Sequence, residues 1–270
     1  MRKLILELTR SPAVRKTATA LGLHSAVNCW LSHFPVVKTL RGSGIRYRAR
    51  RIESLALSVE MFDECVLYAA SGLPLHIRSF ADLGCNVGYF TCWLCHHAKN
   101  RQLKGLMVDA NVEAIEEARW HVKINGFQNV RVLCGVVGAG IQQPEVDFFL
   151  HRSNVCSSAV PPEGALGQGA CWKRVKVPQV CVEENWRKYF GDEPCDVLKV
   201  DIEGSEMDFF RAELAFLRRV HTILLEWHKW RVTTDEVKTF LTSNGFSLKA
   251  VLHEGPDLGT GIFVRTDAPR

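Results

Sequence analysis

No apolar run in these 270 residues is long enough to cross a bilayer, which argues against a membrane-spanning helix. The apolar stretch before Arg10 is too short for a secretory signal. A cytoplasmic compartment is therefore expected, and a disulfide framework is not, despite ten cysteines. Internal repeats and low-complexity tracts are absent, so one large α/β domain with an N-terminal extension accounts for the length. Acids are nearly missing from the first 51 residues, which hold eleven Lys/Arg and only Glu7. The remainder carries 23 Lys/Arg against 28 acids, so the formal +5 hides a basic arm on a mildly acidic body. Such an arm suits an anionic membrane, a phosphorylated carrier or RNA, and equally a solvated amphipathic cap. A second Cys pair is also missing. The run Cys92-Trp93-Leu94-Cys95-His96-His97 has ligand-like spacing but falls on a predicted helix. Small buried thiols are expected there rather than zinc.

What is present is a strand, a tight glycine turn and a helix. The strand over 77–83 runs into Asp82-Leu83-Gly84-Cys85-Asn86-Val87-Gly88, and the helix begins near residue 87. Gly84 and Gly88 permit close approach of backbone to a nucleotide-like ligand. A third glycine is lacking, and Asn86 stands where a second would be expected. No Gly-Lys-Ser/Thr follows, which argues against ATP or GTP. A second strand, 104–109, ends in Asp109, 21 residues after Gly88 and at the distance of a ribose-binding acid. Capping of the next helix is an alternative role for Asp109.

Strands and helices alternate onward: helix 112–124, strand 130–137, then strand 196–201, helix 205–216, strand 221–227 and helix 233–243. Two final strands, 246–252 and 260–265, are joined only by Glu254-Gly255-Pro256-Asp257, which demands an antiparallel pair. Between the halves, 146–152 and 174–180 read as a β-hairpin insertion (about 141–181) with a long loop over the ligand face. Residues 1–75 form the basic extension, mostly helical, with a short strand over 45–51 and a helix over 57–70. The main domain runs over 76–270.

A third motif, Lys199-Val200-Asp201-Ile202-Glu203-Gly204-Ser205-Glu206, ends the strand at 196–201. Together with the turn at 82–88, in this order and spacing, it resembles the FkbM-type family of S-adenosylmethionine-dependent O-methyltransferases. The resemblance runs from about Tyr47 to Val264, with Tyr47-Arg48-Ala49-Arg50-Arg51 as its lead-in. It implies a doubly wound, seven-stranded Rossmann-like sheet with one antiparallel strand. That fits the short final link and argues against a nicotinamide enzyme. It also implies that Asp82, Gly84, Asn86 and Gly88 line the methionine and ribose parts of S-adenosylmethionine. Asp109 would then meet the ribose hydroxyls, and Gly135 and Val136 would border the adenine.

Methyl transfer to a hydroxyl needs alignment of three atoms and an acceptor for the proton. A base is expected at the carboxyl ends of the central strands. Asp201, Glu203, Glu226 and His228 fall there, and alternation puts Glu226 and His228 on one side of their strand. Asp201, Glu226 and His228 are the expected catalytic group, with His228 favoured as base for its near-neutral pKa. A divalent cation, if one is used, is expected on Asp201 and Glu226. Glu203 and Glu206 suit the first turn of the following helix, and Lys199 is placed to pair with Asp201. Asn154-Val155-Cys156-Ser157-Ser158 in the insertion is expected on the acceptor side. Trp227 and Trp230 flank His228 and fit either sugar stacking or the core. The expected activity is methylation of a hydroxyl on a sugar, glycan or other secondary metabolite. An RNA ribose methyltransferase and a non-catalytic scaffold are the alternatives, with nucleic acid disfavoured because no RNA-binding module is evident.

Overall fold

The computed structural model describes residues 23–64, 72–138, 144–151, 157–159 and 172–266. The expectations for residues 1–22, 65–71 and 154–156 lie outside the described residues.

The described part of the extension contains α1 (Leu23–His33), β1 (Val36–Thr39), β2 (Arg46–Ala49) and α2 (Ile52–Val59), which continues as a π turn over Glu60–Glu64. β1 is a strand where none was expected, and it pairs antiparallel with β2 around the turn at Gly42 and Gly44. The extension is not a free arm. Ile45, Tyr47 and Met61 are buried in one cluster with Phe80, Tyr89 and Ala118. The Arg48 guanidinium makes two hydrogen bonds to Glu117, at 2.8 and 2.9 Å, and lies 4.2 Å from the centre of the Trp120 ring. Arg50 reaches Glu117 at 3.2 Å, and Arg51 reaches Glu113 at 3.3 Å. Part of the basic excess is thus matched by acids of the main domain.

The main domain alternates as the pattern predicts: β3 (Ser79–Leu83), α3 (Tyr89–His97), β4 (Lys104–Asp109), α4 (Val112–Asn125) and β5 (Val130–Cys134). The insertion supplies β6 (Glu145–His151) and β7 (Trp172–Pro178), and α5 (Val182–Phe190) returns to the sheet. Then follow β8 (Cys195–Val200), α6 (Glu206–Ala212), α7 (Leu214–Leu217), β9 (Val220–His228), α8 (Thr234–Ser243), β10 (Phe246–Glu254) and β11 (Leu258–Arg265). The seven-stranded sheet has the order β10-β11-β9-β8-β3-β4-β5. Only β11 runs antiparallel to its neighbours, as the short link before it requires. β8 is buried at all six positions, as a central strand covered on both faces must be.

The period of two sorts the strand residues between two apolar layers. Ala81, Leu83, Leu198, Val200, Ile223 and Leu225 enter one layer. Phe80, Val197 and Leu224 enter the other. Further along that second face come Asp82, Lys199, Glu226 and His228, so one side of the sheet changes from apolar to ionic toward its carboxyl end.

One predicted helix is two. The span expected at 205–216 breaks at Glu213, whose carboxylate accepts the Val182 and Glu183 amides at 2.6 and 3.0 Å. Glu213 thereby caps the start of α5, an interaction of about 1 kcal/mol for an N-terminal cap. The ribbon β6–β7 is separate from the main sheet. It is held by a bridge between Val136 and Gln179 and by packing of Phe148 and Val177 on Ala110 and Val136.

Candidate active site

A cavity of about 260 Å³ opens at the carboxyl ends of β3, β4, β8 and β9. Gly84, Asn86, Asp109, Gly135 and Val136 line it, together with Asp201, Glu203 and Glu226.

The glycine turn is shaped by close approach. Gly84 has φ +71°, and a Cβ there would lie 1.7 Å from the Asp201 carbonyl oxygen. The Gly84 carbonyl accepts a hydrogen bond from Lys199 Nζ at 2.8 Å. Asn86 takes φ +47°, a left-handed conformation that asparagine tolerates better than most residues, which explains its standing in place of glycine. Asp109 accepts the Asn86 amide at 2.8 Å through one oxygen and the Asn111 amide at 2.8 Å through the other. It ties two turns together and does not cap α4. That cap is Asn111, whose side chain accepts from Glu113 and Ala114. A Cβ on Gly135 would lie 2.5 Å from the Pro178 carbonyl, so the cavity floor depends on a bare backbone there too.

Two of the residues expected at the cofactor do not line the cavity. Asp82 is fully buried and does not line the cavity. It accepts a hydrogen bond from Thr91 at 3.0 Å and lies 3.8 Å from Lys199. Burial pushes its carboxyl up to about 6, against the pull of Lys199 and Thr91. Gly88 does not line the cavity either; a Cβ there would lie 2.8 Å from Met107 Cε, so it serves the packing of α3. Both residues act beneath the turn, where a β-α junction is crowded.

The expected catalytic group does assemble, with two further members. His228 Nδ1 lies 2.9 Å from Glu206 Oε1, and Nε2 lies 3.2 Å from Glu203 and 3.9 Å from Glu226. Burial disfavours the charged ring, but the hydrogen bonds to Glu203 and Glu206 outweigh it and raise the pKa to about 11. Carboxylates on both ring nitrogens favour the imidazolium form, which speaks against the expected role of His228 as base. Glu226 lines the cavity and accepts a hydrogen bond from Thr260 at 3.3 Å. Burial first, then the charge of Asp201, raises its carboxyl to about 8. Asp201 faces the same space and pairs with Lys199 at 3.2 Å.

Among the described residues, Asp201, Glu203 and His228 are the one group that brings three metal-ligand atoms within 4.8 Å of one another. The expected pair of Asp201 and Glu226 is not that group. Its donors are already matched by counter-charges: both nitrogens of His228 face carboxylates, and Lys199 holds Asp201. A divalent ion would have to displace these pairs, so the donor set does not fit one. Cys92 and Cys95 are buried thiols on α3, pushed upward in pKa by burial. Trp227 is wholly buried and donates to Thr234, so it belongs to the core. Trp230 is partly exposed and packs over Gly204.

The insertion reaches the site as expected: Phe148, Ser157 and Ala159 line the cavity, and Ser158 Oγ donates to the Glu203 carbonyl at 2.6 Å. Among the lining residues that were not anticipated, three lie in the extension. Leu57, Glu60 and Met61 come from α2 and its π turn, so the extension builds one wall. π turns recur at functional sites, but nothing in the local sequence announces this one.

The residues fit S-adenosylmethionine. The tight turn at Gly84, the Asp109 carboxylate at the second strand end and the bare backbone at Gly135 form a continuous wall, and the acidic end suits a sulfonium. The sequence matches the Methyltransferase FkbM domain over residues 82–248. No curated protein matches it significantly. Among solved structures it is similar to the FkbM methyltransferase of Methylobacillus flagellatus KT, with 13% identity and a TM-score of 0.48, over 91% of this chain and 60% of that one. It is similar to M. capricolum TrmK in complex with S-adenosyl-homocysteine, with 9% identity and a TM-score of 0.45, over 77% and 70% of the two chains. A SAM-dependent methyltransferase from Aquifex aeolicus matches at 15% identity and a TM-score of 0.42, over 77% and 92%. The domain match covers well over half of the chain and contains both acidic strand ends and the glycine turn, and the chain belongs to the FkbM methyltransferase family.

Proposed function

We propose that this protein methylates a hydroxyl of a sugar, glycan or similar polyhydroxylated metabolite, with Glu226 as the proton acceptor. The observation that carries this reading is the position and state of Glu226. It stands in the cavity wall, and its carboxyl is raised to about 8. A carboxylate of ordinary acidity is a poor base for an alcohol. One raised to about 8 is a stronger base once deprotonated, and roughly a tenth of it is in that reactive form at pH 7, whereas His228, raised to about 11, stays protonated.

S-adenosylmethionine, when bound, supplies an electrophilic methyl group on a positively charged sulfur. The chain's own part is to bind, orient and deprotonate. Asp109 is placed to meet ribose hydroxyls while it holds the turn at Asn86. Lys199 fixes Gly84 and Asp201 at once, and so sets the distance between glycine turn and acidic strand end. The His228 imidazolium holds Glu203 away from the proton-acceptor role and leaves Glu226 to it. Glu60, Asp201, Glu203 and Glu226 give the acceptor side negative character, which suits an uncharged acceptor better than a phosphate-rich one.

The test is transfer from methyl-labelled S-adenosylmethionine to neutral oligosaccharides, nucleotide sugars and RNA in parallel. Label on a carbohydrate hydroxyl, lost with Glu226→Gln, supports the reading. Label confined to RNA overturns the acceptor class. Binding of S-adenosylhomocysteine without transfer to any fraction of a source-cell extract favours a scaffold.

A further inference from the structure

Helix α1 is docked by one face. Leu31 is buried against Ala49, Ile52 and Leu55. Asn28 Oδ1 accepts the Ile52 amide at 2.8 Å, and the Ser32 carbonyl accepts from Arg50 at 2.9 Å. Its outer side, adjoining the docked face, bears Val27 and Trp30, continued by Phe34 just past the helix end, at i, i+3 and i+7, which are 37%, 57% and 63% exposed. The rings of Trp30 and Phe34 lie 5.8 Å apart. Val37, at the start of β1, is 51% exposed as well. This is a contiguous apolar and aromatic stripe, unlike isolated surface hydrophobics that need no explanation.

The charge flanking it in sequence is one-sided, although Glu53 meets His24 and Asn28 on the docked face. α1 contains no Lys, Arg, Asp or Glu. The 22 residues before it carry Arg2, Lys3, Arg10, Arg15 and Lys16 against Glu7 alone. After it, Lys38, Arg41 and Arg46 are exposed, and no acid occurs until Glu53. An uncharged stripe of Trp, Phe and Val between basic segments matches the interface of an anionic bilayer, where aromatic rings sit at the headgroup level and Lys/Arg meet lipid phosphates. A second copy of the chain suits it less, because a two-fold pairing of this face brings like-charged segments together. RNA suits it less as well, because phosphate contacts need cations on the docking face itself.

We infer that the outer face of α1 is a peripheral docking surface for anionic lipid bilayers, anchored by Trp30 and Phe34. α1 packs on α2, whose Leu57 lines the cavity, so a docked bilayer lies one helix away from the acceptor side. The inference stands independently of the acceptor proposed above.

Vesicle flotation of the full chain tests it, with phosphatidylcholine alone and with added phosphatidylserine. The protein should float with the anionic vesicles only and be released by high salt. Trp30→Ala/Phe34→Ala and Phe34→Glu should each lower the bound fraction by about tenfold, with S-adenosylhomocysteine binding unchanged. Val251→Ala, a 48% exposed apolar residue on β10, should float like the wild type. No flotation, or flotation indifferent to Trp30 and Phe34, overturns the inference. So does concentration-dependent dimerisation abolished by the same variants, or RNA retention by a protein that ignores vesicles.

Discussion

His228 Nδ1 and Glu206 Oε1 lie 2.9 Å apart in a buried pair, with Glu206 wholly inaccessible to water. This contact turns a residue whose type suggests a base into a fixed cation. Removing it leaves two carboxylates without their counter-charge. His228→Gln should therefore cost about 3 kcal/mol in urea unfolding at pH 7. The ring's folded pKa is raised, so its contribution is complete below the unfolded value near 6.5 and is lost as pH rises toward about 11. The gap between wild type and variant should narrow between pH 7 and 10. A gap that widens with pH would refute the assignment.

Glu226→Gln should lower kcat by about a hundredfold or more and leave the affinity for S-adenosylhomocysteine unchanged. Wild-type kcat should climb with pH toward a plateau governed by a group near 8, and the variant's profile should lose that limb. The stability effect has the opposite sense. A raised carboxyl stabilises the fold below about 4.5 and loses that contribution through about 8. At pH 9 the variant should be the more stable protein, as thermal unfolding at pH 5 and 9 would reveal.

Gly84→Ala places a methyl group 1.7 Å from a backbone oxygen at φ +71°. It should abolish S-adenosylhomocysteine binding by calorimetry and destabilise the chain by about 2 kcal/mol or more. Gly126 at the end of α4 has a similar φ of +65° in the ordinary left-handed region, and nothing lies within 4 Å of the position a methyl group would take there. Gly126→Ala should cost only about 1 kcal/mol and leave binding intact. Equal effects at both sites would remove the close approach as the cause.

His121 joins the glycine turn to the extension, since Nδ1 donates to the Val87 carbonyl at 2.8 Å and Nε2 accepts the Arg48 amide at 2.9 Å. Burial depresses its pKa to about 4, despite those bonds and Glu117. The unfolded chain binds a proton first, so stability falls as pH drops from about 6.5 to 4. His121→Gln should reduce the slope of stability against pH in that window by up to one proton, while lowering stability at pH 7 by about 1–2 kcal/mol.

The alternation of strands and helices was legible because β4, α4 and α8 carry clear periodic patterns between turns. The glycine turn and both acidic strand ends were legible for the same reason. β1 was missed because Val36-Val37-Lys38-Thr39 is short and exposed on most of its length, and only its pairing with β2 defines it. The break at Glu213 answers to amides of α5 some thirty residues upstream in sequence. Asp82 and Gly88 share a motif with residues that line the cavity, and spacing cannot say which members of a turn face inward. His228 is matched on both nitrogens because Glu203, after β8, and Glu206, at the start of α6, converge on it. Those contacts are tertiary, so the residue type alone misleads.

The ribbon β6–β7 touches the rest of the molecule beside the cavity, through Val136, Gln179, Phe148 and Val177, and forms no ladder with the main sheet. It behaves as a cassette. The turn at Gly84 and the Asp109 contacts answer to other strands, while Pro178 at the end of β7 approaches Gly135 and Phe148 of β6 faces the cavity. A graft that keeps Pro178 and Phe148 and changes the outward positions of the ribbon should therefore alter the cavity rim and leave the turn at Gly84 untouched.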